Sequence, residues 1–379
     1  MNKPNVLFVG SYREKTGFGI AAQNFIRALD TAANVACRPV KIRQLQANLH
    51  PRILELENVF LDNYDYVIQK VLPHNMDYCG DFKKNVAILA YETNSLGRTI
   101  WPERLELMDE IWATNKLTKK ACENSKITKP VKIIGEPVDV EKFGKVYRKM
   151  TAPIVLDSTF KFYFIGEHTP RKNLEALVKA FHVEFRPEDD VALFIKTNRT
   201  LTSPQETQNQ VAGMCTTIKQ NLRMYDHPGL YKPEIILTDY VSDDDICSLH
   251  QMCDCFVLPS CGEGWCMPAL DSLGFSNPVI CGAFAGMDYV NDNNGWLVNS
   301  YKTPVVNGSA PLTDLYTGHE CHEEIDIIDL QKQMRLAYES RHTQLWKDKQ
   351  QAAKETPYEY TFEKIGQRML GYLEETNVS

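Results

Sequence analysis

Short apolar runs separated by amphipathic stretches recur along this chain in two long series. In the first third, Val6 to Gly10, Tyr66 to Val71, Val86 to Tyr91, Ile111 to Asn115 and Val131 to Ile134 read as strands, because each is brief, mainly apolar and bounded by polar or turn residues. Between them Ile20, Phe25, Ile26 and Leu29 fall roughly at helical spacing, and Pro102 to Met108 and Lys116 to Asn124 predict further helices. A second series starts at Phe160. Phe160 to Gly166 predicts a strand, and Leu174, Leu177, Val178, Phe181 and Phe185 share one face of a helix over 173–185. Strand Val191 to Lys196 follows, then an amphipathic stripe of Val211, Met214, Ile218 and Leu222. Glu234 to Thr238, Cys255 to Leu258, Pro278 to Cys281 and Gly295 to Asn299 predict strands, with helices over Asp243 to Met252 and Pro268 to Phe275. The tail from Asp326 to Glu375 predicts helix, broken near Pro357, with Phe362, Ile365, Met369 and Tyr372 or Leu373 as a late apolar stripe.

Two successive β/α series imply two parallel-sheet domains, an α/β architecture. The length of 379 residues agrees, since it exceeds one ordinary core and suits two of roughly 150–200 residues. The stretch GEPVDVEKFG and the following RKMTAPIVLDST carry turn residues and charge without periodicity, which puts the boundary at 150/151.

The net charge of −7 and pI near 5.8 argue against a general nucleic-acid binder, because phosphate-backbone binding draws on surplus Lys and Arg. No apolar run of about 18 residues is present, and the N-terminal stretch is short. A soluble cytoplasmic protein is expected, with peripheral membrane contact left open. Eleven cysteines, several of them at apolar positions such as Cys247, Cys253, Cys255 and Cys281, suit a reduced core better than a disulfide framework.

Candidate chemistry concentrates in the second series. In VLPSCGEGWCMPALDSLG (257–274), Glu263 and Asp271 stand eight positions apart across a small-residue turn and the start of a helix. Glycines admit a ligand to the backbone, free amides at the helix start favour phosphate oxygens, and carboxylates accept from hydroxyls. Arg171 and Lys172 follow another strand end, at Gly166, and directly precede a helix, which suits a diphosphate. Phosphate plus hydroxyls suggests a nucleotide sugar.

Together these segments resemble retaining glycosyltransferases of the GT-B fold, family 4. The likeness extends to MDEIWATN, GEPVDVEKF, YVSDDDICSLHQMCDCFVLPS and PVICGAFAGMDYVNDNNGWLV, and is strongest from Phe160 to Val298. It implies two Rossmann-like domains facing a cleft: residues 1–150 on the acceptor side, 151–355 on the donor side, and C-terminal helix 356–379 packing back on the first. It implies that Arg171 and Lys172 bind the donor diphosphate, that Glu263 orients the sugar, and that Asp271, where the family more often has glutamate, holds the ribose. Gly166, Gly264, Trp265 and Cys266 would line the same donor site, with Tyr240 and Val241 beside the base.

The segment Thr16 to Ala22 fits G-x-G-x-x-A, but six residues separate Gly10 from Gly17 and no acid follows the second strand, so a nicotinamide site is not expected. In the resembled family, a loop matching Gly17 and Gly19 approaches the donor phosphates and acceptor. His74 and Glu92 follow strands of the first domain, and either could face the sugar. His319-Glu320-Cys321-His322 lacks the usual spacing of a metal site. Cys261 and Cys266 read as small-space fillers, while Trp265 and Trp296 could pack beneath the site or against a sugar. The expected activity is metal-independent, cofactor-free, retaining transfer of a hexose from GDP-mannose or a UDP-hexose to a carbohydrate, lipid-linked or protein acceptor. The alternative is a catalytically inactive nucleotide-sugar-binding or scaffold protein of the same fold.

Overall fold

Six parallel strands form the first sheet: β1 (Asn5–Gly10), β2 (Asn34–Pro39), β3 (Tyr66–Lys70), β4 (Lys84–Leu89), β5 (Glu110–Ala113) and β6 (Val131–Ile133). Their order is β2-β1-β3-β4-β5-β6. β4 and β5 are buried at every position, as strands covered on both faces must be. Helices α1 (Gly17–Ala32), α2 (Pro51–Glu57), α3 (Trp101–Leu105) and α4 (Lys116–Asn124) connect them. α1 starts where Thr16 caps it, its hydroxyl accepting from the Gly19 N–H, and it buries Ala21, Ala22, Phe25, Ile26 and Leu29. The direction of strand addition reverses between β1 and β3, where Gly10 lies beside Lys70. This computed structural model describes residues 3–41, 49–97, 99–148, 158–305, 316 and 318–375, so part of the expected boundary lies outside the described residues.

The second sheet repeats the plan with β7 (Phe160–Glu167), α5 (Leu174–Glu184), β8 (Val191–Asn198), α6 (Pro204–Leu222), β9 (Glu234–Leu237), α7 (Asp243–Met252), β10 (Cys255–Leu258), α8 (Met267–Gly274), β11 (Val279–Gly282) and β12 (Gly295–Val298). The strand order is β12-β11-β10-β7-β8-β9, all parallel, with the reversal between β7 and β10. Ligands of open α/β sheets bind beyond the carboxyl ends of the strands that flank such a reversal. α6 and α7 both begin with capping boxes, Ser203–Glu206 and Ser242–Asp245. The buried stripe of α6 runs Thr207, Val211, Cys215 and Ile218, so Cys215 takes the core position that the sequence pattern gave to Met214.

A hairpin of β13 (Ser300–Pro304) and β14 (Cys321–Ile325), which the sequence pattern did not predict, precedes α9 (Ile327–Ser340) and α10 (Gln344–Glu355). The last helix, α11 (Phe362–Glu374), lies against α1. One compact unit comprises Met1–Val140, Asp314–Glu320 and Tyr358–Ser379, and the other comprises Glu141–Thr313 and Cys321–Pro357. In the first, Ile365, Met369 and Leu373 of α11 enter the core around Phe25 and Leu29, each contributing roughly 2 kcal/mol of apolar burial. The close approach needs Gly366, where an added Cβ would lie 2.2 Å from the Ala28 carbonyl oxygen. At the end of α11, the buried Lys84 ammonium donates to the carbonyls of Tyr372 (2.8 Å) and Glu375 (3.1 Å), a cation on the negative helix terminus.

Candidate functional site

β7 and β10 run side by side, so the chain segments leaving them meet. After β7 comes the 3-10 turn Pro170–Lys172, and Asn173 in the left-handed region (φ +52°) starts α5. After β10, the loop Pro259 to Trp265 crosses to α8. The two are stitched together: the Cys261 N–H donates to the Arg171 carbonyl at 2.9 Å, and the Arg171 guanidinium donates to the Gly262 carbonyl at 2.5 Å.

Within this frame Lys172 Nζ lies 2.8 and 2.9 Å from the two carboxylate oxygens of Glu263, and the Arg171 guanidinium lies 3.2 Å from Oε1. Glu263 is only 4% exposed. Burial pushes its carboxyl up, but Lys172 and Arg171 outweigh that and hold it below its ordinary value, ionised. His168, three residues before Arg171, has its Nδ1 buried without a hydrogen-bond partner, and burial and Arg199 both push it toward the neutral form.

α8 opens on Cys266, which sits in the left-handed region (φ +72°) and places no side-chain cap on the first turn. Pro268 brings no N–H to this first turn, and the Ala269 and Leu270 N–H groups donate to the Cys266 carbonyl at 3.2 and 3.4 Å, so it is the positive end of the helix, and not a row of open amides, that faces the loop carrying Glu263. Trp265 and Cys266 are buried, and both their carbonyls accept from the Tyr289 hydroxyl, at 2.8 and 2.6 Å. The Trp265 ring packs on Tyr289, with centroids 4.8 Å apart. Trp296 belongs to the interior instead, stacked on Trp346 with Lys349 over its ring. Burial pushes the Cys261 and Cys266 thiols up to about 12, as expected for space fillers and not for reactive thiols.

Asp271, one turn into α8, lies 2.7 Å from Lys142 Nζ. That lysine has no signal in the sequence, because only the packing of the Val140–Gly144 turn on α8, through Phe143 against Phe275, brings it there. Gly166 closes β7 beside Thr197 of β8, whose hydroxyl donates to the Gly166 carbonyl at 2.7 Å. Tyr240, 69% exposed, and the half-buried Val241 occupy the connection from β9 to α7.

The remaining candidates belong to the first unit. Gly17 is exposed at the start of α1, and Gly19 is buried against the loop before it, where an added Cβ would lie 2.1 Å from the Glu14 carbonyl oxygen. His74 is exposed on the 3-10 turn after β3, and Glu92 is half-buried after β4. The His319 to His322 run is divided: Glu320 is buried in the first unit, while Cys321 and His322 pair in β14 against Pro304 and Thr303. Among the described residues, no group of three His, Cys, Asp or Glu could hold a metal ion, and no helix is long and apolar enough to cross a membrane.

Residues 159–305 match the family described as Glycosyl transferases group 1. The matched segment contains Arg171, Lys172, Tyr240, Glu263 and Asp271. A stretch of 107 residues is 29% identical to the serotype-specific mannosyltransferase WbdA of Escherichia coli, covering 27% of this chain and 11% of that protein. Solved structures share the architecture over nearly the whole chain. A glycosyltransferase from Rickettsia africae ESF-5 superposes with a TM-score of 0.65 at 13% identity, over 99% of this chain and 98% of its own. A sucrose-phosphate synthase from Thermosynechococcus elongatus gives 0.63 at 12% identity, over 98% of each chain. A trehalose-6-phosphate structure from E. coli bound with UDP-2-fluoro glucose gives 0.65 at 10% identity, over 98% and 99%. The fold is GT-B: two parallel six-stranded sheets with their helices.

Proposed function

We propose that this chain is a retaining, metal-independent hexosyltransferase of family 4, which takes a hexose from a nucleoside-diphosphate sugar and passes it to a hydroxyl of a carbohydrate, lipid-linked or protein acceptor. The observation that carries the reading is the cluster of Arg171, Lys172 and Glu263 at the strand reversal of the second sheet, beside the uncapped start of α8. Cleaving a glycosyl–phosphate bond puts negative charge on the departing diphosphate and positive charge on the sugar. Arg171, Lys172 and the positive end of α8 would supply fixed positive charge for the first, each well-placed donor being worth about 3 kcal/mol in comparable oxyanion sites. This is the role that a divalent cation plays elsewhere.

Glu263 is neutralised by both cations. A bound diphosphate would draw Lys172 and Arg171 toward its own oxygens and leave the Glu263 carboxylate free to accept from sugar hydroxyls. Gly166, Gly264, Trp265 and Cys266 would bring backbone to the donor, Asp271 would accept from the ribose, and Tyr240 and Val241 would flank the base. Front-face attack by the acceptor, with the donor phosphate taking its proton, needs no protein nucleophile. On the first unit, Gly17 and Gly19 would serve the donor phosphates, and either His74 or Glu92 the acceptor side. Similarity to a mannosyltransferase favours GDP-mannose over a UDP-hexose as donor.

The test is a panel of nucleotide sugars assayed for binding and slow hydrolysis, with Arg171→Ala and Glu263→Ala beside the parent. Binding of one donor by the parent, with hydrolysis lost in both variants, is expected; no binding by any donor, or variants that behave like the parent, defeats the proposal. NMR of the anomeric proton in donor and product tests retention.

A further inference from the structure

His74 stands at the strand reversal of the first sheet. β3 ends at Lys70, beside Gly10 of β1, and the chain turns through Leu72 into the Pro73–Asn75 turn that leaves His74 exposed. This is the position at which open α/β sheets present side chains to ligands. Beneath it lies Trp101, the first residue of α3, 4% exposed and packed in one core with Tyr91, Leu96, Leu105 and Met108. The Tyr91 ring meets it edge-on, with centroids 5.6 Å apart. The indole cannot turn away without opening that core.

The Trp101 indole N–H donates to His74 Nδ1 at 3.2 Å. An indole nitrogen has no acceptor lone pair in its plane, so the direction of this bond is not a matter of choice: Nδ1 must accept. A neutral imidazole with an accepting Nδ1 carries its proton on Nε2. We infer that Trp101 is a positioning residue that fixes His74 as the Nε2–H tautomer, so that His74 offers a hydrogen-bond donor, not a base, to a hydroxyl-bearing ligand at the edge of the first sheet. A donor there suits an acceptor or sugar oxygen whose own proton leaves toward the donor phosphate. For its ligand the inference rests on the transferase proposal; for the tautomer it rests on the indole geometry alone.

Two-bond proton–nitrogen NMR of the full chain labelled with 15N-histidine, in alkaline buffer where imidazoles are neutral, reads which ring nitrogen holds the proton. Loss of one signal set in His74→Gln identifies His74. The parent should show the Nε2–H pattern alone, and Trp101→Phe should show a mixture of tautomers while the other histidine signals and the thermal melt persist. An Nδ1–H pattern in the parent overturns the inference whether or not the variant folds, and so does an unchanged pattern in a folded Trp101→Phe. In transfer assays His74→Ala should lose about tenfold in kcat/KM, the worth of one hydrogen bond, and His74→Gln, which keeps an N–H near the Nε2 position, clearly less. Equal losses overturn the donor role. Absence of turnover with every nucleotide sugar defeats the transferase proposal, and the NMR pattern alone then decides the tautomer.

Discussion

Lys172 donates to both carboxylate oxygens of Glu263, at 2.8 and 2.9 Å, across 91 positions of sequence. Removing Lys172 takes away both of these hydrogen bonds and leaves the buried carboxylate to Arg171, 3.2 Å from Oε1. Lys172→Met should therefore destabilise the second unit by about 3 kcal/mol in denaturant unfolding, and the double variant Lys172→Met/Glu263→Gln should recover much of the loss. Recovery is the decisive arm, because a purely steric effect of methionine would persist in the double variant.

The same pair sets an acid limit. Glu263 has its folded carboxyl below the ordinary 4.5, so its contribution to stability is complete above that value and is lost as pH falls through the lower folded one. Glu263→Gln should flatten this part of the acid-unfolding curve, followed by tryptophan fluorescence.

Asp271 is engaged by Lys142 at 2.7 Å, and a ribose would have to compete with that ammonium. A partly exposed ion pair of this kind is worth about 0.5–1 kcal/mol. Lys142→Met should thus lower the donor KM by about two- to fivefold, whereas Asp271→Asn should raise it. Steady-state kinetics with the donor varied at saturating acceptor would decide; a rise in KM for Lys142→Met would make the lysine a donor ligand instead.

In the first unit, Lys70 and Glu136 form a buried pair 3.9 Å apart, with the ammonium over the Phe18 ring. Burial raises the Glu136 carboxyl from 4.5 to about 7, against the pull of Lys70. The folded state therefore binds a proton more tightly than the unfolded one, and stability should fall as pH rises from 4.5 to about 7. Lys70 works oppositely: burial lowers it from 10.5, so stability should recover between its lowered value and 10.5. Urea unfolding from about pH 5 to 7.5 should show the acid-side slope in the parent and lose it in Glu136→Gln.

Lys84 joins the sheet to the end of α11, reaching two helix carbonyls and, at 3.4 Å, the fully buried Glu110. Lys84→Met should cost about 3 kcal/mol and release α11 first. Hydrogen exchange should then show protection lost over residues 362–374 before β4 and β5.

Much of this was legible from apolar periodicity. The strands β3 and β4 and, in the second series, β7, β8, β10 and β11 are largely buried apolar runs, and Arg171, Lys172 and Glu263 could be singled out because each sits just past such a run. What brings them into contact is strand order, which no local pattern encodes. The β13–β14 hairpin escaped because SYKTP and CHEEI have mixed polar faces with little burial. Lys142 and Trp101 escaped for another reason: each acts through one partner distant in sequence, and neither a lone lysine nor a tryptophan at a helix start announces that partner.

Because α11 completes the core built on α1, the amino-terminal half of the chain cannot finish folding as it leaves the ribosome. The second unit, which lies between those two helices in sequence, can assemble first, while the apolar face of α1 waits uncovered until α11 has been synthesised. A nascent chain stalled after Pro357 would display that face, so the synthesis of α11 is what shields α1 from aggregation.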